Sequence, residues 1–160
     1  MVLKALVLLA ILASGNERSA SREQHRAVAL KIGAFRDGFR LCGRRGPEGI
    51  TASWELKQVE VNRIDKALII HFDHAGPSEK PSLPLSEHQR QYLGFVRDGR
   101  RMVYVNAFAS SFRAGVVKAR DQFVEECPRR FLCWGIEYDT SSLTFLNFTP
   151  DSRLCHHEPF

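Results

Sequence analysis

At 160 residues, with 44% hydrophobic and 26% charged side chains, the chain has the size and balance of one domain that buries a core, which excludes a disordered or fibrous protein. Lysine and arginine number 23 against 18 acids, a formal charge of +5. That surplus is too small, and too little interleaved with aromatics, to make nucleic acid the expected partner.

The chain opens with a short basic segment, Met1-Val2-Leu3-Lys4, and an unbroken apolar run, Ala5 to Ala13. The run is far shorter than the ~20 residues that cross a bilayer as a helix, so no membrane span is expected. Ala13-Ser14-Gly15 supplies small residues of the kind signal peptidase accepts. Residues 1–15 are therefore read as a signal peptide and residues 16–160 as a single α+β domain, periplasmic or secreted. Export makes the four cysteines, Cys42, Cys127, Cys133 and Cys155, a disulfide framework. None of them has close C-x₂₋₄-C spacing, which argues against zinc. All three pairings fit the sequence; Cys127–Cys133, a short loop, with Cys42–Cys155, tying the ends, is favoured.

Ser21-Arg22-Glu23-Gln24 reads as a capping box, and Val28, Ile32, Phe35 and Phe39 share a helical stripe. A helix over 19–39 is the expectation, although Val28, Leu30 and Ile32 also alternate and Gly33 weakens a helix. Gly43 to Gly49 reads as a loop, and Ile50 to Leu56 as a short strand leading into a helix. In that helix Val61, Ile64, Leu68 and Phe72 line one face, Ile69 widens it, and Asn62, Arg63, Asp65 and Lys66 lie elsewhere. The spacing predicts a helix from Gln58 to Asp73 that covers one face of a sheet. Pro77, Pro81 and Pro84 then mark Ala75 to Glu87 as an extended connector.

Gln91 to Phe108 carries the strongest signal in the chain, two apolar and aromatic runs around Asp98-Gly99. A two-residue type I′ turn there predicts a register with Arg97 opposite Arg100, Phe95 opposite Met102 and Leu93 opposite Tyr104. The other face then carries Val96 with Arg101, Gly94 with Val103 and Tyr92 with Val105. Both faces are apolar, as in covered central strands. A surface loop over Ala109 to Lys118 and a strand over Gln122 to Glu126 are expected next. A second hairpin follows, Leu132 to Tyr138 and Leu143 to Phe148 around Asp139-Thr140-Ser141-Ser142. The predicted architecture is α+β: an antiparallel sheet of four or five strands built on two hairpins, covered by one main amphipathic helix.

Motifs for chemistry are few. His71 and His74 lie three apart without a third ligand, a spacing that suits histidines at an exposed helix end better than a metal site. His156-His157 beside Cys155 has the same standing. No GxSxG, HExxH, Walker or GxGxxG pattern occurs. No metal or cofactor is expected. Glu125-Glu126, Glu137 and Asp139 are the carboxylates near predicted strand ends. The clearest feature is basic: Arg97, Arg100 and Arg101 at the hairpin tip, with Arg129-Arg130 and Arg44-Arg45 in turns. Arginine forks suit phosphate or carboxylate, and the competing account is edge protection of the sheet.

The segments Tyr92-x-Gly94-Phe95 … Gly99-Arg100-Arg101-x-Val103-Tyr104-Val105-Asn106-Ala107-Phe108 and Trp134-Gly135-x-Glu137-Tyr138-Asp139 … Phe145-x-Asn147 carry a resemblance. They resemble small exported bacterial proteins of unknown function, in which a similar hairpin precedes a W-G-x-E-Y-D strand. The likeness spans Tyr92 to Phe148, about a third of the chain. In such proteins Cys-Asp-Gly-Gly often stands before the Trp strand, whereas here Cys127 is followed by Pro128-Arg129-Arg130. The resemblance implies export and an α+β fold and assigns no catalytic residue.

The function expected is an exported, non-catalytic binding or envelope-associated protein, inhibitor-like in one version. Its partner would be an anionic envelope component or another protein, met through Arg97, Arg100 and Arg101. The alternative is a small periplasmic hydrolase using carboxylates near Glu125 and Glu137, and a third reading is a structural accessory protein.

Overall fold

Asp98 and Gly99 both take positive φ, 51° and 74°, the turn conformation an Asp-Gly pair favours. On either side run the longest strands, β5 (His88–Arg97) and β6 (Arg100–Ala109). Their register is the predicted one throughout, from Arg97 opposite Arg100 to Tyr92 opposite Val105. The structure, a computed structural model, describes residues 27–29, 40–41, 44–110 and 133–150.

The second hairpin joins β7 (Cys133–Asp139) to β8 (Thr144–Thr149). Asp139 Oδ1 closes its turn by accepting from the Ser141 amide at 2.8 Å and the Ser141 hydroxyl at 2.5 Å. The pairing slips between Gly135 and Glu137, and Asn147 takes a φ of 54°. That irregularity is why Phe148 breaks the alternation of its strand.

β7 pairs with β6, so the long strands run antiparallel in the order β5-β6-β7-β8. The outer side of β5 is shared by two short strands, β1 (Ala27–Ala29) and β4 (Ala52–Trp54). β4 pairs antiparallel with Gly94 to Val96 and β1 parallel with Arg90 to Tyr92. The sheet is thus five strand positions wide, with two short pieces in the outermost one. One helix, α1 (Gln58–His74), covers it.

Three expectations need correction. The helix over 19–39 fails at Ala27–Ala29, which is strand. There strand prevails, because β5 offers a row of backbone partners a helix could not use. Residues 21–26 and 30–39 lie outside the described residues. In the predicted loop over 43–49, β3 (Arg44–Arg45) pairs antiparallel with β2 (Arg40–Leu41). The proline connector is extended but includes two 3₁₀ turns, Pro77–Glu79 and Leu85–Glu87. Pro77 starts the first of them, where its missing N–H is no loss. The expected strand over Gln122 to Glu126 lies outside the described residues.

Four residues of the predicted helix stripe are buried, while Ile69, expected to widen it, is exposed. Val61, Ile64, Leu68 and Phe72 pack against Tyr92, Val103, Val105, Trp134, Ile136 and Tyr138 on the near face of the sheet. Phe72 meets Trp134 edge-on, ring centres 5.3 Å apart. The far face has its own buried cluster of Leu93, Phe95, Met102 and Tyr104, so β5 and β6 are covered on both sides. Full burial of side chains this size stabilises by about 1.5–3 kcal/mol each.

Candidate functional site

The β5–β6 tip brings its three arginines close in the chain but parts them in space. Side chains alternate across a strand. Arg97 and Arg100, cross-strand partners, share the far face with Phe95 and Met102, while Arg101 lies on the helix side with Val103.

Arg97 is not an unneutralised cation. Its Nη1 donates to Glu137 Oε1 at 3.1 Å and its Nη2 to Glu137 Oε2. Asn147 Nδ2 donates to the same carboxylate at 2.9 Å. The hydrogen bonds Arg97 donates to Glu137 raise its pKa, against a smaller effect of burial. Arg100, 68% exposed, reaches within 3.6 Å of Asp139 Oδ2. Asp98 is therefore not the only acid at the tip: β7 supplies two, and Arg97 facing Arg100 is a compensated arrangement. Glu137 and Asp139 are 40 and 39 residues from the arginines they meet, which is why local sequence hides the pairing.

Arg101 is held differently. Its guanidinium carbon lies 5.2 Å from the centre of the Trp54 ring, within cation–π range. Two hydrogen bonds fix Trp54 in turn, its Nε1 donating to the carbonyls of Phe95 and Met102 at 3.1 Å each. The ring rests on Gly94, where a Cβ would come within 2.8 Å of Cε2. Thr140 donates its hydroxyl and its amide to the Arg101 carbonyl at 2.8 and 3.2 Å.

A second charged cluster escaped the sequence reading. On α1, Asp65 receives Arg90 Nε at 2.6 Å and Nη2 at 2.9 Å, and also the Tyr92 hydroxyl. Arg90 Nη1 satisfies the carbonyls of Leu85 and His88 at 2.8 and 3.2 Å. Burial first, then the Asp65 charge, pushes the Tyr92 pKa well up, so it remains a donor. Tyr92 is fully buried and its donor is committed to Asp65, which makes the cluster a clamp of helix on sheet. The signal was present: an arginine inside a strand otherwise buried must have a partner.

Glu137, the carboxylate named for hydrolysis, accepts from two residues; Glu125 lies outside the described residues. His71 leans on Phe145, ring centres 4.9 Å apart. Burial lowers its pKa, opposed by the Glu79 charge. His74 Nδ1 lies 2.8 Å from the Ile70 carbonyl, so the two histidines have separate local partners. Among the described residues no three His, Cys, Asp or Glu side chains gather where a metal ion could be held. No helix among them is long and apolar enough to cross a membrane. Cys133 is buried at the start of β7 and forms no disulfide with another described residue. Cys42, Cys127 and Cys155 lie outside the described residues, as do Arg129, Arg130, His156 and His157.

Asp139 supplies a pH prediction. Hydrogen bonds from the Ser141 hydroxyl and amide, chiefly, hold its carboxyl at about 2, below the ordinary 3.8. A depressed folded pKa stabilises above the unfolded value, and the contribution is lost as pH falls through the folded one. Acid titration of stability should therefore steepen between about pH 4 and pH 2. Asp139→Asn should flatten that limb, and an unchanged limb would show that the turn does not depend on the charge.

No known protein family, curated protein or solved structure matches the chain.

Proposed function

We propose that this chain is an exported, non-catalytic binding protein that meets an anionic partner at the β5–β6 tip. The observation that carries the reading is the division of labour among charges there. Glu137 and Asp139 are occupied in holding Arg97 and the β7–β8 turn. Arg100 and Arg101 remain exposed, one weakly paired and one lying over Trp54. Arginine forks so placed suit carboxylate or phosphate. The Arg97–Glu137 pair ties the tip to β7 and so supports the recognition element.

Export is inferred from the apolar run and small-residue site of residues 1–15, and from the resemblance of the hairpin to exported proteins. The proposal includes two disulfides, Cys127–Cys133 and Cys42–Cys155. The hydrolase alternative rests on Glu137. With its oxygens engaged by Arg97 and Asn147, that carboxylate suits a structural acceptor better than a general acid.

The test uses protein recovered from the exported fraction, expected to begin near Asn16 and to show no labelled thiol. Envelope extract is passed over wild type and over the Arg100→Ala, Arg101→Ala variant at low and high salt. Capture that falls with salt and is lost in the folded variant supports the reading. Equal capture by both proteins, with more aggregation of the variant, would make the arginines edge protection only.

A further inference from the structure

We infer that Arg101, mounted on Trp54, is the group at the tip that reads a partner, and that it takes a carboxylate of an acidic peptide segment from the helix side of the sheet. The inference rests on the proposed function and assigns it to one side chain.

Four observations converge on Arg101. It is exposed, and among the described residues it has no ion pair. Arg97 and Arg100, by contrast, face Glu137 and Asp139. The Arg101 guanidinium lies over an indole that is itself tied to two carbonyls of the hairpin, Phe95 and Met102. The Arg101 backbone is anchored by Thr140. Finally, the glycine under the indole has a Cβ position that the Trp54 carbonyl would overlap at 2.4 Å. Flexible arginine side chains lose much rotamer freedom on binding. One already lying on an aromatic ring has lost part of it beforehand, which is how preorganisation raises affinity.

The class of partner follows from number and shape. Anionic membrane surfaces are recognised by clusters of about four to eight basic residues, and nucleic acid by a basic stripe. Among the described residues the tip presents neither, since Arg97 and Arg100 are matched by acids. A single planar fork suits one planar, two-oxygen group, and Trp54 adds apolar surface for the chain that carries it. A glutamate-rich segment has both parts.

Trp54 acts through Arg101 and is a positioning residue. In wild type, ring current from Trp54 should displace the Arg101 Nε–H resonance. Trp54→Phe should keep part of that shift, and Trp54→Leu should abolish it while the far-face side-chain signals of Leu93 and Tyr104 stay put. The probe is an acetylated tetraglutamate peptide titrated at low salt, followed by the Arg101 and Trp54 N–H signals. Arg101→Ala should weaken binding about tenfold, and Arg100→Ala by less than about twofold, since exposed pairs contribute little. Trp54→Leu should weaken it nearly as much as Arg101→Ala, with recovery in Trp54→Phe. Inorganic phosphate and phosphatidylglycerol vesicles should leave the Arg101 signal where it is at the same charge concentration.

Equal losses in Arg100→Ala and Arg101→Ala would overturn the assignment to Arg101 yet leave the tip as the recognition element. No loss in either variant would overturn both. Stronger response to phosphate or vesicles than to peptide would overturn the carboxylate partner.

Discussion

Asp65→Ala is expected to destabilise the protein by about 3 kcal/mol, read as a fall in the urea midpoint at constant slope. The loss far exceeds that of one surface ion pair, because of what the change leaves behind. Arg90 is 6% exposed and Asp65 17%, and two nitrogens of that arginine, with the Tyr92 hydroxyl, depend on one carboxylate. Removing it strands a buried cation and a buried donor together. A buried pair contributes little net stability when intact, but breaking it by deleting one partner exposes the desolvation cost of the other. The double variant Asp65→Leu, Arg90→Met should therefore be more stable than Asp65→Ala alone. Tyr92→Phe, which removes one neutral donor, should cost only about 1 kcal/mol. A loss below that in Asp65→Ala would mean that α1 is held by its apolar face alone.

How far these features were legible depends on the range of the signal. The β5–β6 register follows from a local rule, the positive φ that Asp98 and Gly99 share, and strand alternation carries it along both strands. The α1 stripe is equally local, and its four predicted core residues are the four that are buried. Ala27–Ala29 was harder, since three residues satisfy a helical and a strand period equally well; pairing with Arg90 to Tyr92 decides between them. The candidate site divides in the same way. Three arginines at a turn are visible in the sequence, but their acids come from β7, and Trp54 reaches the tip from β4. Only the order of strands in the sheet makes Glu137 the neighbour of Arg97 and Trp54 the support of Arg101. Asp65 and Arg90 are 25 residues apart, on a helix and a strand whose meeting no periodicity announces.

Gly94→Ala is expected to cost about 3 kcal/mol, at the upper end for overpacking by one methyl. A small-to-large change is mild when the neighbour is the free end of a side chain. Here the new Cβ would lie 2.4 Å from the Trp54 carbonyl oxygen and within 2.9 Å of two ring atoms. Backbone cannot yield by changing rotamer, and β4 is paired to β5 at this residue, Trp54 opposite Gly94. The cheapest relief is for β4 to lift from β5 at its Trp54 end, which breaks the indole bonds to Phe95 and Met102. The variant should therefore lose hydrogen-exchange protection at the Trp54 indole, while the Trp134 indole, on β7 under α1, keeps its own. Gly99→Ala is the control. It meets no atom within 4 Å but has a φ of 74°, so it should cost only about 1 kcal/mol through backbone strain. The consequence reaches the proposed site as well. Once Trp54 leaves its seat, Arg101 is an ordinary flexible arginine, and tetraglutamate affinity should fall with the loss of indole protection. A Gly94→Ala protein with wild-type stability and a protected Trp54 indole would show that β4 adapts to the methyl without cost.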